Sequence, residues 1–477
     1  MRSVFLLSCL FLMVSLVNGQ KNWTLEECIT YALDHNIQVK QSMLTIENQE
    51  TGLLQSKLNL FPSLNLGASH GYNWGQAIDL YTNEFATDRV QSNNFYASSS
   101  FTVFNGFQKI NTIKKNQINL LRSQYETDQF MDDVSLNIAI AYLQVLYYRE
   151  MVTIYEKQQE VMQQQVARTE KLVVAGTLAR GDLLTIQAQA ANEEFQMTNT
   201  RNTLEMSILN LAQLLDLPDT ENFSIASPAL VIKDELPTSM SVDNIYYTAL
   251  EHRADVKSTE LAIESASKDL NIAKGMQSPA VSLSANWGTG YSGAAKEVTD
   301  ISTPYLASTP FGITANGVNV FNYTADATYR TIPFNQQFRE NNNQTLTAYL
   351  SIPIFNGYQT RTAIANAKIG LENARLTHQT TLMNLRKTIQ QAYADALASL
   401  KTYHAAELKL TANDESFLYA QEKFNVGMIN SLEYNTAKKD HDIAQSEMLQ
   451  SKYDFIFKSV ILEFYMGKPL SLQPWQH

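Results

Sequence analysis

Residues that could bind a metal or catalyse a reaction are few and scattered in this chain of 477 residues. The closest grouping is Asp440-His441-Asp442, in which an imidazole and two carboxylates are metal-ligand types. The other six histidines are distant in sequence and the chain has two cysteines, so we interpret this triplet as a solvated helix face. The sequence contains no P-loop, G-x-S-x-G or H-E-x-x-H pattern.

A glycine pattern from Gly288 to Gly293 has the spacing G-x-G-x-x-G. In a dinucleotide site this pattern opens a helix, whereas here the segment that follows ends in Pro304 and shows no helical period. We therefore predict no bound cofactor and no enzymatic activity. An exported enzyme stays open only through a catalytic site in the long segment from Gly288 to Asn343.

Two acidic residues are notable for their position. Asp182 and Glu433 each follow a glycine, Gly176 or Gly427, by six residues, at the start of a helix that returns from a tight turn. Carboxylates brought together in a narrow wet pore would hold a negative potential that admits cations. The alternative is that each acid only complements the positive end of the helix dipole.

The elements around these acids occur twice. Identical residues recur at an offset of 251 positions in the second half of each copy and 217 positions in the first half, so the second copy carries 34 extra residues between its strands. The pairs at 251 are Gly106 with Gly357, Tyr142 with Tyr393, Gly176 with Gly427 and Pro218 with Pro469; those at 217 include His35 with His252 and Pro62 with Pro279.

Each copy contains a junction at which a strand pattern changes to a helix pattern. The junctions are Phe104-Asn105-Gly106-Phe107-Gln108 and Phe355-Asn356-Gly357-Tyr358-Gln359. Asn-Gly breaks a strand because both residues tolerate positive φ. A helix and then two strands precede each junction, and we predict the strands at 62–74, 94–104, 279–287 and 344–355. Polar loops at about 75–92 and 288–343 connect the paired strands.

These strands alternate between an apolar face and a small, polar, almost uncharged face. Their length of about ten residues suits a tilted strand that crosses a bilayer. An ordinary soluble sheet has the same alternation and is the alternative. Four strands cannot close a barrel, since about eight are needed, so several chains would have to share one.

The helices after the junctions carry apolar residues at alternating steps of four and three. This heptad period predicts left-handed supercoiling against neighbouring helices. Each copy ends in a long helical hairpin, 107–217 or 357–466, whose first helix would be about 100 Å long at 1.5 Å per residue. The predicted seams are Val134, Ile138, Ala141, Val145, Tyr148, Val152, Tyr155, Gln159, Met162, Val166, Thr169 and Val173, and Leu385, Ile389, Ala392, Ala396, Ser399, Tyr403, Ala406, Leu410, Asn413, Phe417, Ala420 and Phe424.

The first residues predict export. A short basic start is followed by an apolar stretch too short to span a bilayer and by the small residue Gly19, so we assign residues 1–19 as a signal peptide. A lipoprotein box ending at Cys9 is the alternative, but it stands too near the start. The predicted layout is signal peptide 1–19, repeat 20–217, linker 218–240, repeat 241–469 and C-terminal tail 470–477.

After cleavage Cys28 is the one cysteine, which excludes an intrachain disulfide. The formal net charge of −11 for the whole chain argues against nucleic acid as a partner. The mature sequence has no apolar run long enough for a transmembrane helix. Such an exported protein can still enter a membrane through β-strands.

The order and spacing of these features resemble the TolC family, the outer-membrane channel proteins of Gram-negative efflux pumps and type I secretion systems. The resemblance rests on the twofold repeat, the strand pairs, the F-N-G-[FY]-Q junctions and the glycine turns followed by an acid. It covers essentially the whole mature chain. It implies a mixed α/β membrane protein: a long coiled-coil α-helical barrel continuous with a transmembrane β-barrel, to which each of three chains gives four strands.

The resemblance also implies a function and partners. The chain would form a homotrimer in the outer membrane, embedded in its lipid and extending into the periplasm. It would be a passive conduit for exported substrates, with a gated periplasmic mouth. A periplasmic adaptor (membrane fusion) protein and an inner-membrane transporter would meet it there, in a tripartite efflux pump or a type I secretion system.

Within this resemblance the pore constriction and gate fall on Glu433, Asp182 and Arg180. Family members can carry a second acidic residue on the second hairpin, at the position of Thr436 in this chain. The second hairpin would therefore supply at most one ring of carboxylates to the mouth. Apolar Met428 and Ile429 stand where relatives can place a basic residue that forms a salt bridge in the closed gate. In this chain Arg180, on the first hairpin, would take the place of that basic residue. The tips for adaptor docking are Gly176, Thr177, Gly427 and Met428, and the strand-to-helix junctions are Asn105, Gly106, Asn356 and Gly357.

The alternative function is a coiled-coil structural or adhesive protein of the cell envelope. It accounts for the heptads. It does not account for duplicated strand pairs with one uncharged polar face.

Overall fold

The computed structural model describes residues 22–86, 89–218, 220, 223–230, 232 and 241–472. The predicted signal peptide 1–19 lies outside the described residues, as do parts of the predicted linker and of the predicted C-terminal tail. The chain divides into two compact units. One comprises residues 1–50, 118–264 and 372–477, and the other comprises 51–117 and 265–371.

The helices form two series of equal lengths in the same order, with one additional short helix. The first series is α1 (Leu25–His35, 11 residues), α2 (Ile37–Leu58, 22), α3 (Gln108–Val174, 67) and α4 (Arg180–Leu214, 35). The second is α5 (Val242–His252, 11), α6 (Ala254–Gly275, 22), α8 (Gln359–Asn425, 67) and α9 (Ser431–Tyr465, 35), with the additional α7 at Phe334–Glu340.

The single helix expected before the first strand is in fact two helices, α1 and α2. Asn36 separates them because its backbone is extended, with ψ 128°. Its side-chain oxygen then accepts hydrogen bonds from the backbone N–H groups of Gln38 (2.9 Å) and Val39 (3.2 Å), which begins α2. The sequence pattern shows the helical period on both sides but not this break.

The strands, in chain order, are β1 (Asn22–Trp23), β2 (Ser63–Asn73), β3 (Ala77–Ile78), β4 (Phe85–Ala86), β5 (Val90–Asn105), β6 (Ser224–Ile225), β7 (Ala280–Ser292), β8 (Lys296–Ile301), β9 (Tyr305–Leu306), β10 (Gly312–Ile313), β11 (Asn319–Val320), β12 (Tyr323–Thr324), β13 (Ala327–Thr331) and β14 (Asn343–Ser351). Four of them form one antiparallel sheet in the order β14-β7-β5-β2. β2 and β14 are therefore its edges, each paired on one side.

The predicted apolar faces come into register across all four strands of this sheet. One row runs from Leu64 through Ser99 and Ala285 to Leu346. Since directly opposed residues lie on the same face, the four alternating patterns form one continuous apolar face. A register shift between Thr102 and Phe104 moves the pairing of the second strand by one residue at its end, so Phe104 instead of Val103 stands opposite Val281.

Three strand boundaries differ from the predictions by four or more residues, and the first is the start of the second strand, at Val90 rather than 94. The last strand ends at Ser351 rather than 355, because Pro353 has no N–H to continue the ladder. The third strand runs to Ser292 instead of 287, so the glycine pattern from Gly288 lies within and just after a strand. The segment expected as a polar loop contains short strands and α7.

The core of the first unit is centred on α3. Tyr142 is 1% exposed, and its hydroxyl donates hydrogen bonds to the backbone carbonyls of Trp23 (3.1 Å) and Ala226 (2.9 Å). Trp23 lies in β1, which pairs in parallel with β6. One tyrosine thus fixes the start of the described chain and the segment between the two helix series to the same helix.

The burial predicted from the heptad period is confirmed along both long helices. Every predicted seam position in α3 and α8 is buried or half-buried, and none is exposed. Ile138 and Val145 in α3 and Ile389 and Ala396 in α8 are all 0% exposed. The spacing of four and three therefore identifies the faces along which these helices pack.

Candidate functional site: hairpin tips, junctions and apolar sheet face

The two hairpin tips have the same backbone geometry. Gly176 and Gly427 each have φ +78°, a value that suits glycine at a helix C-terminus. The N–H after each glycine donates five residues back, from Thr177 to the Leu172 carbonyl (3.0 Å) and from Met428 to the Lys423 carbonyl (2.8 Å). Each tip is therefore a closed turn that reverses the chain within a few residues.

The tips expose apolar side chains. Val174 is 84% exposed, and Val426, Met428 and Leu432 are between 72% and 74% exposed. A Cβ added at either tip glycine would meet no atom within 4 Å. The tips thus present an open apolar surface of the kind that marks a protein contact.

Of the predicted gate residues, Asp182 makes a contact between the two hairpins. Its Oδ1 accepts a hydrogen bond from Ser431 Oγ (3.3 Å), which joins the start of α4 to the start of α9. Ser431 is 5% exposed. Ser431 was not predicted as a site residue from the sequence, although it is the first residue of α9 and lies two residues before Glu433.

Glu433 belongs to the N-terminal cap of α9. Asn430 accepts a hydrogen bond from the Glu433 N–H (3.0 Å), and its amide donates to Glu433 Oε1 (3.2 Å). Glu433 is otherwise exposed, as is Arg180. Among the described residues no carboxylate lies within ion-pair distance of Arg180, so a single chain does not form the salt-bridged gate that this arginine was expected to supply.

Further along the hairpins lies a buried charge cluster that was not predicted from the sequence. Lys438 in α9 has a side chain 3% exposed, and its ammonium donates to Glu193 Oε1 of α4 (2.8 Å) and to Asp442 Oδ2 (2.7 Å). Burial alone would lower the pKa of Lys438, but the two carboxylates outweigh it and raise the pKa above its ordinary value. Burial raises the pKa of Glu193 despite the hydrogen bond from Lys438.

The interpretation of Asp440-His441-Asp442 as a solvated helix face is wrong for His441. Its side chain is 18% exposed and its ring stacks on Phe417 at 5.2 Å between centroids. The ring nitrogens lie 2.8 Å from Asp414 Oδ1 and 3.2 Å from Asp442 Oδ1. In the part of the chain that the structure describes, no group of three metal-ligating side chains is placed to hold an ion.

The strand-to-helix junctions turn on positive φ values at the two expected glycines, and at the aromatic residue after each glycine instead of the asparagine before it. Gly106 and Phe107 have φ 66° and 60°, and Gly357 and Tyr358 have φ 62° and 69°, whereas the asparagines before them do not. Asn105 instead accepts a hydrogen bond at its backbone carbonyl from the Gln108 side chain (2.8 Å). The asparagine side chain of the second junction donates to Thr360 Oγ1 (2.5 Å).

The apolar face of the four-stranded sheet has exposed leucines on both edge strands, β2 and β14. Leu64, Leu66, Leu346 and Leu350 are between 64% and 78% exposed. A contiguous apolar surface on a sheet marks a contact with lipid or with another protein. As for the helices, none of those in the described residues is both long and apolar enough to cross a membrane.

This combination of a sheet with an exposed apolar face and two long helical hairpins defines the class of outer-membrane channel proteins. The sequence profile of the family described as "Outer membrane efflux protein" matches residues 28–216 and 245–468. The chain therefore belongs to the outer membrane efflux protein family, and it is an outer-membrane protein. The alternative of a structural or adhesive coiled-coil protein is set aside.

Individual relatives agree with this assignment. Outer membrane protein TolC of Escherichia coli (strain K12) is 19% identical over 419 residues, 87% of this chain and 76% of TolC. Outer membrane efflux protein BepC of Brucella suis biovar 1 (strain 1330) is 21% identical over 370 residues, 76% of this chain and 69% of BepC. The crystal structure of CusC, a protein that forms a transmembrane channel, superposes on this chain with a TM-score of 0.75. The two are 15% identical in sequence, and the superposition covers 96% of each chain.

Proposed function

We propose that three copies of this chain form an outer-membrane channel, a passive conduit in a tripartite efflux pump or a type I secretion system. The observation that carries this proposal is the four-stranded sheet: within the described residues, no strand pairs with the outer side of either edge strand. An exposed sheet edge is a template for pairing with another chain. Pairing β14 of one copy with β2 of the next would give a closed barrel of twelve strands.

The two helix series support an internal duplication, in which each half of the chain contributes one helical hairpin. Three copies would then supply six hairpins, or twelve long helices, to a tunnel that continues from the barrel into the periplasm. The heptad seams of α3 and α8 supply the packing faces. Because no bond is made or broken, the chain would act by conduction and not as an enzyme.

The hairpin tips are the proposed periplasmic mouth. The exposed apolar residues around Gly176, Thr177, Gly427 and Met428 would dock a periplasmic adaptor protein, which in turn meets an inner-membrane transporter. Glu433 from each copy would form a ring of carboxylates at the constriction. The hydrogen bond between Ser431 and Asp182 would hold the tips of one copy together in the closed state, with Arg180 beside it.

Opening would then require this contact to break. Helices that are closely packed move as rigid bodies, so the second hairpin would rotate away from the first. The junctions at Gly106 and Gly357, whose backbones are fixed in the left-handed region, would hold the upper ends of the long helices.

The test is single-channel conductance of the purified protein in planar bilayers. For Glu433→Gln we expect the cation-to-anion permeability ratio to fall about threefold or more, since the substitution removes the charge that sets the potential of the constriction. Glu205→Gln is the matched control, because Glu205 is an exposed acid on α4 far from the tips.

An unchanged ratio in Glu433→Gln would remove this residue from the constriction while keeping the channel. A folded, membrane-embedded trimer without any conductance would contradict the channel itself. The trimer is counted independently by light scattering of the detergent-solubilised protein.

A further inference from the structure

The 34 residues by which the second copy exceeds the first lie within a long two-stranded ribbon, residues 295–332. The pairs β8 with β13, β9 with β12 and β10 with β11 form its successive steps. The backbone bonds from Ile332 N to the Ala295 carbonyl (2.9 Å) and from Thr314 N to the Val318 carbonyl (2.9 Å) close its base and its tip. This segment is therefore an ordered hairpin.

The base of the ribbon is held by a group of hydrogen-bonded polar side chains, Ser292, Gln337 and Asp79. Ser292, 0% exposed, exchanges two hydrogen bonds with the Gln337 side chain, both 2.9 Å, and Gln337 also donates to the Ile332 carbonyl (2.8 Å). Ser292 Oγ donates to Asp79 Oδ2 at 2.5 Å. Burial alone would raise the pKa of Asp79, but hydrogen bonds led by that from Ser292 hold it below its ordinary value. The ribbon thus rises from a fixed base.

The distal part of the ribbon is apolar and uncharged. From Ile301 to Ala325 the sequence contains no Asp, Glu, Lys, Arg or His, although charged residues stand on both strands of the stem. Phe311 is 83% exposed, Ile313 and Tyr323 are each 69% exposed and Val318 is 62% exposed. Such a surface is costly to leave in water and marks a contact.

A second copy of this chain fits the distal part of the ribbon better than an unrelated charged surface. The chain carries a formal net charge of −11, so two copies carry net charge of the same sign, and the uncharged segments can meet without placing like charges against each other. The ribbon also lies between β7 and β14 in the chain. It therefore rises near the unpaired edge that would receive the neighbouring copy.

We propose that residues 301–325 of each copy pack against the same segment of the neighbouring copies. This inference rests on the proposed trimer. Three ribbons in contact would add to the interface that the sheet edges supply.

Cysteine cross-linking in the full-length trimer tests this packing. Cys28 is fully buried and is the one cysteine in the part of the chain described by the structure, so a cysteine introduced on the ribbon reacts alone. Phe311→Cys, Ile313→Cys and Val318→Cys are each treated with a short bismaleimide. Tyr329→Cys is the matched control, since Tyr329 is 62% exposed but belongs to the charged stem.

We expect at least one distal variant to give covalent dimers on denaturing gels, and the stem variant to stay monomeric. Because three equivalent thiols can form only one pair, cross-linking should stop at about two thirds of the chains. A trimer that shows no distal cross-link, or equal cross-linking from the stem, would overturn the proposal.

Two further outcomes are separated by added measurements. In the first, a polarity-sensitive fluorophore is attached to Ile313→Cys. A blue shift of its emission only after reconstitution into lipid vesicles, together with no cross-linking, would show that the ribbon contacts lipid. That result would overturn its packing against neighbouring copies. Loss of the trimer itself, read by light scattering of the unmodified protein, would instead contradict the proposed assembly.

Discussion

Replacing Lys438 with Met is expected to lower the free energy of unfolding of the helical hairpins by about 3–5 kcal/mol. The substitution leaves Glu193 and Asp442 facing each other without the ammonium that lies 2.8 Å and 2.7 Å from them. Both carboxylates are largely buried, so water cannot replace the lost partner. The measurement is guanidinium unfolding followed by helical circular dichroism.

Lys439→Met is the matched control, because Lys439 is the exposed neighbour on the same helix turn. Its effect should stay within about 0.5 kcal/mol. The double variant Lys438→Met with Glu193→Gln should recover part of the loss, since one of the stranded charges is removed. Equal stability of Lys438→Met and Lys439→Met would show that the buried cluster does not hold α4 to α9.

Gly106→Ala is expected to destabilise the second unit by roughly 2–5 kcal/mol, through two separate causes. The residue has φ +66°, which costs any side chain about 1–2 kcal/mol. A Cβ would also overlap the carbonyl oxygen of Gly275 and lie 2.7 Å from Ser278 Cβ. That overlap adds about 1–3 kcal/mol because backbone cannot move aside as a flexible side chain does.

Gly357→Ala isolates the first cause. Gly357 has nearly the same φ, +62°, but a Cβ there would meet nothing within 4 Å of the same chain. We expect a loss of only about 1–2 kcal/mol. The comparison is made by thermal unfolding of the two variants, and an equal loss in both would mean that the approach of residue 106 to Gly275 costs nothing.

The features that the sequence predicted well depend on periodicity. The heptad seams of α3 and α8 and the alternating faces of the four main strands follow from the spacing of apolar residues. Spacing alone decides which side of a helix or strand is buried. The junctions at Gly106 and Gly357 were found because the period changes there from that of a strand to that of a helix.

The features that were missed depend on single contacts between distant segments. The two residues of β1 carry no sequence pattern that predicts their pairing with β6 or the hydrogen bond from Tyr142. Lys438 could have been found, since Ser431, Asn435, Lys438 and Asp442 repeat the steps of four and three with polar residues. The left-handed backbone at Phe107 and Tyr358 had no local signal, because aromatic residues rarely adopt it.

Because Cys28 is buried, the rate at which a reagent modifies its thiol can report local opening of the core around it. The thiol is 0% exposed and packs in the same core cluster as Tyr142 and Leu211. A thiol reagent can reach it only while α1 detaches, so its modification rate reports how often that segment opens. Comparing this rate for the resting protein and for the protein bound to a partner would show whether events at the hairpin tips reach the middle of α3, where Tyr142 lies.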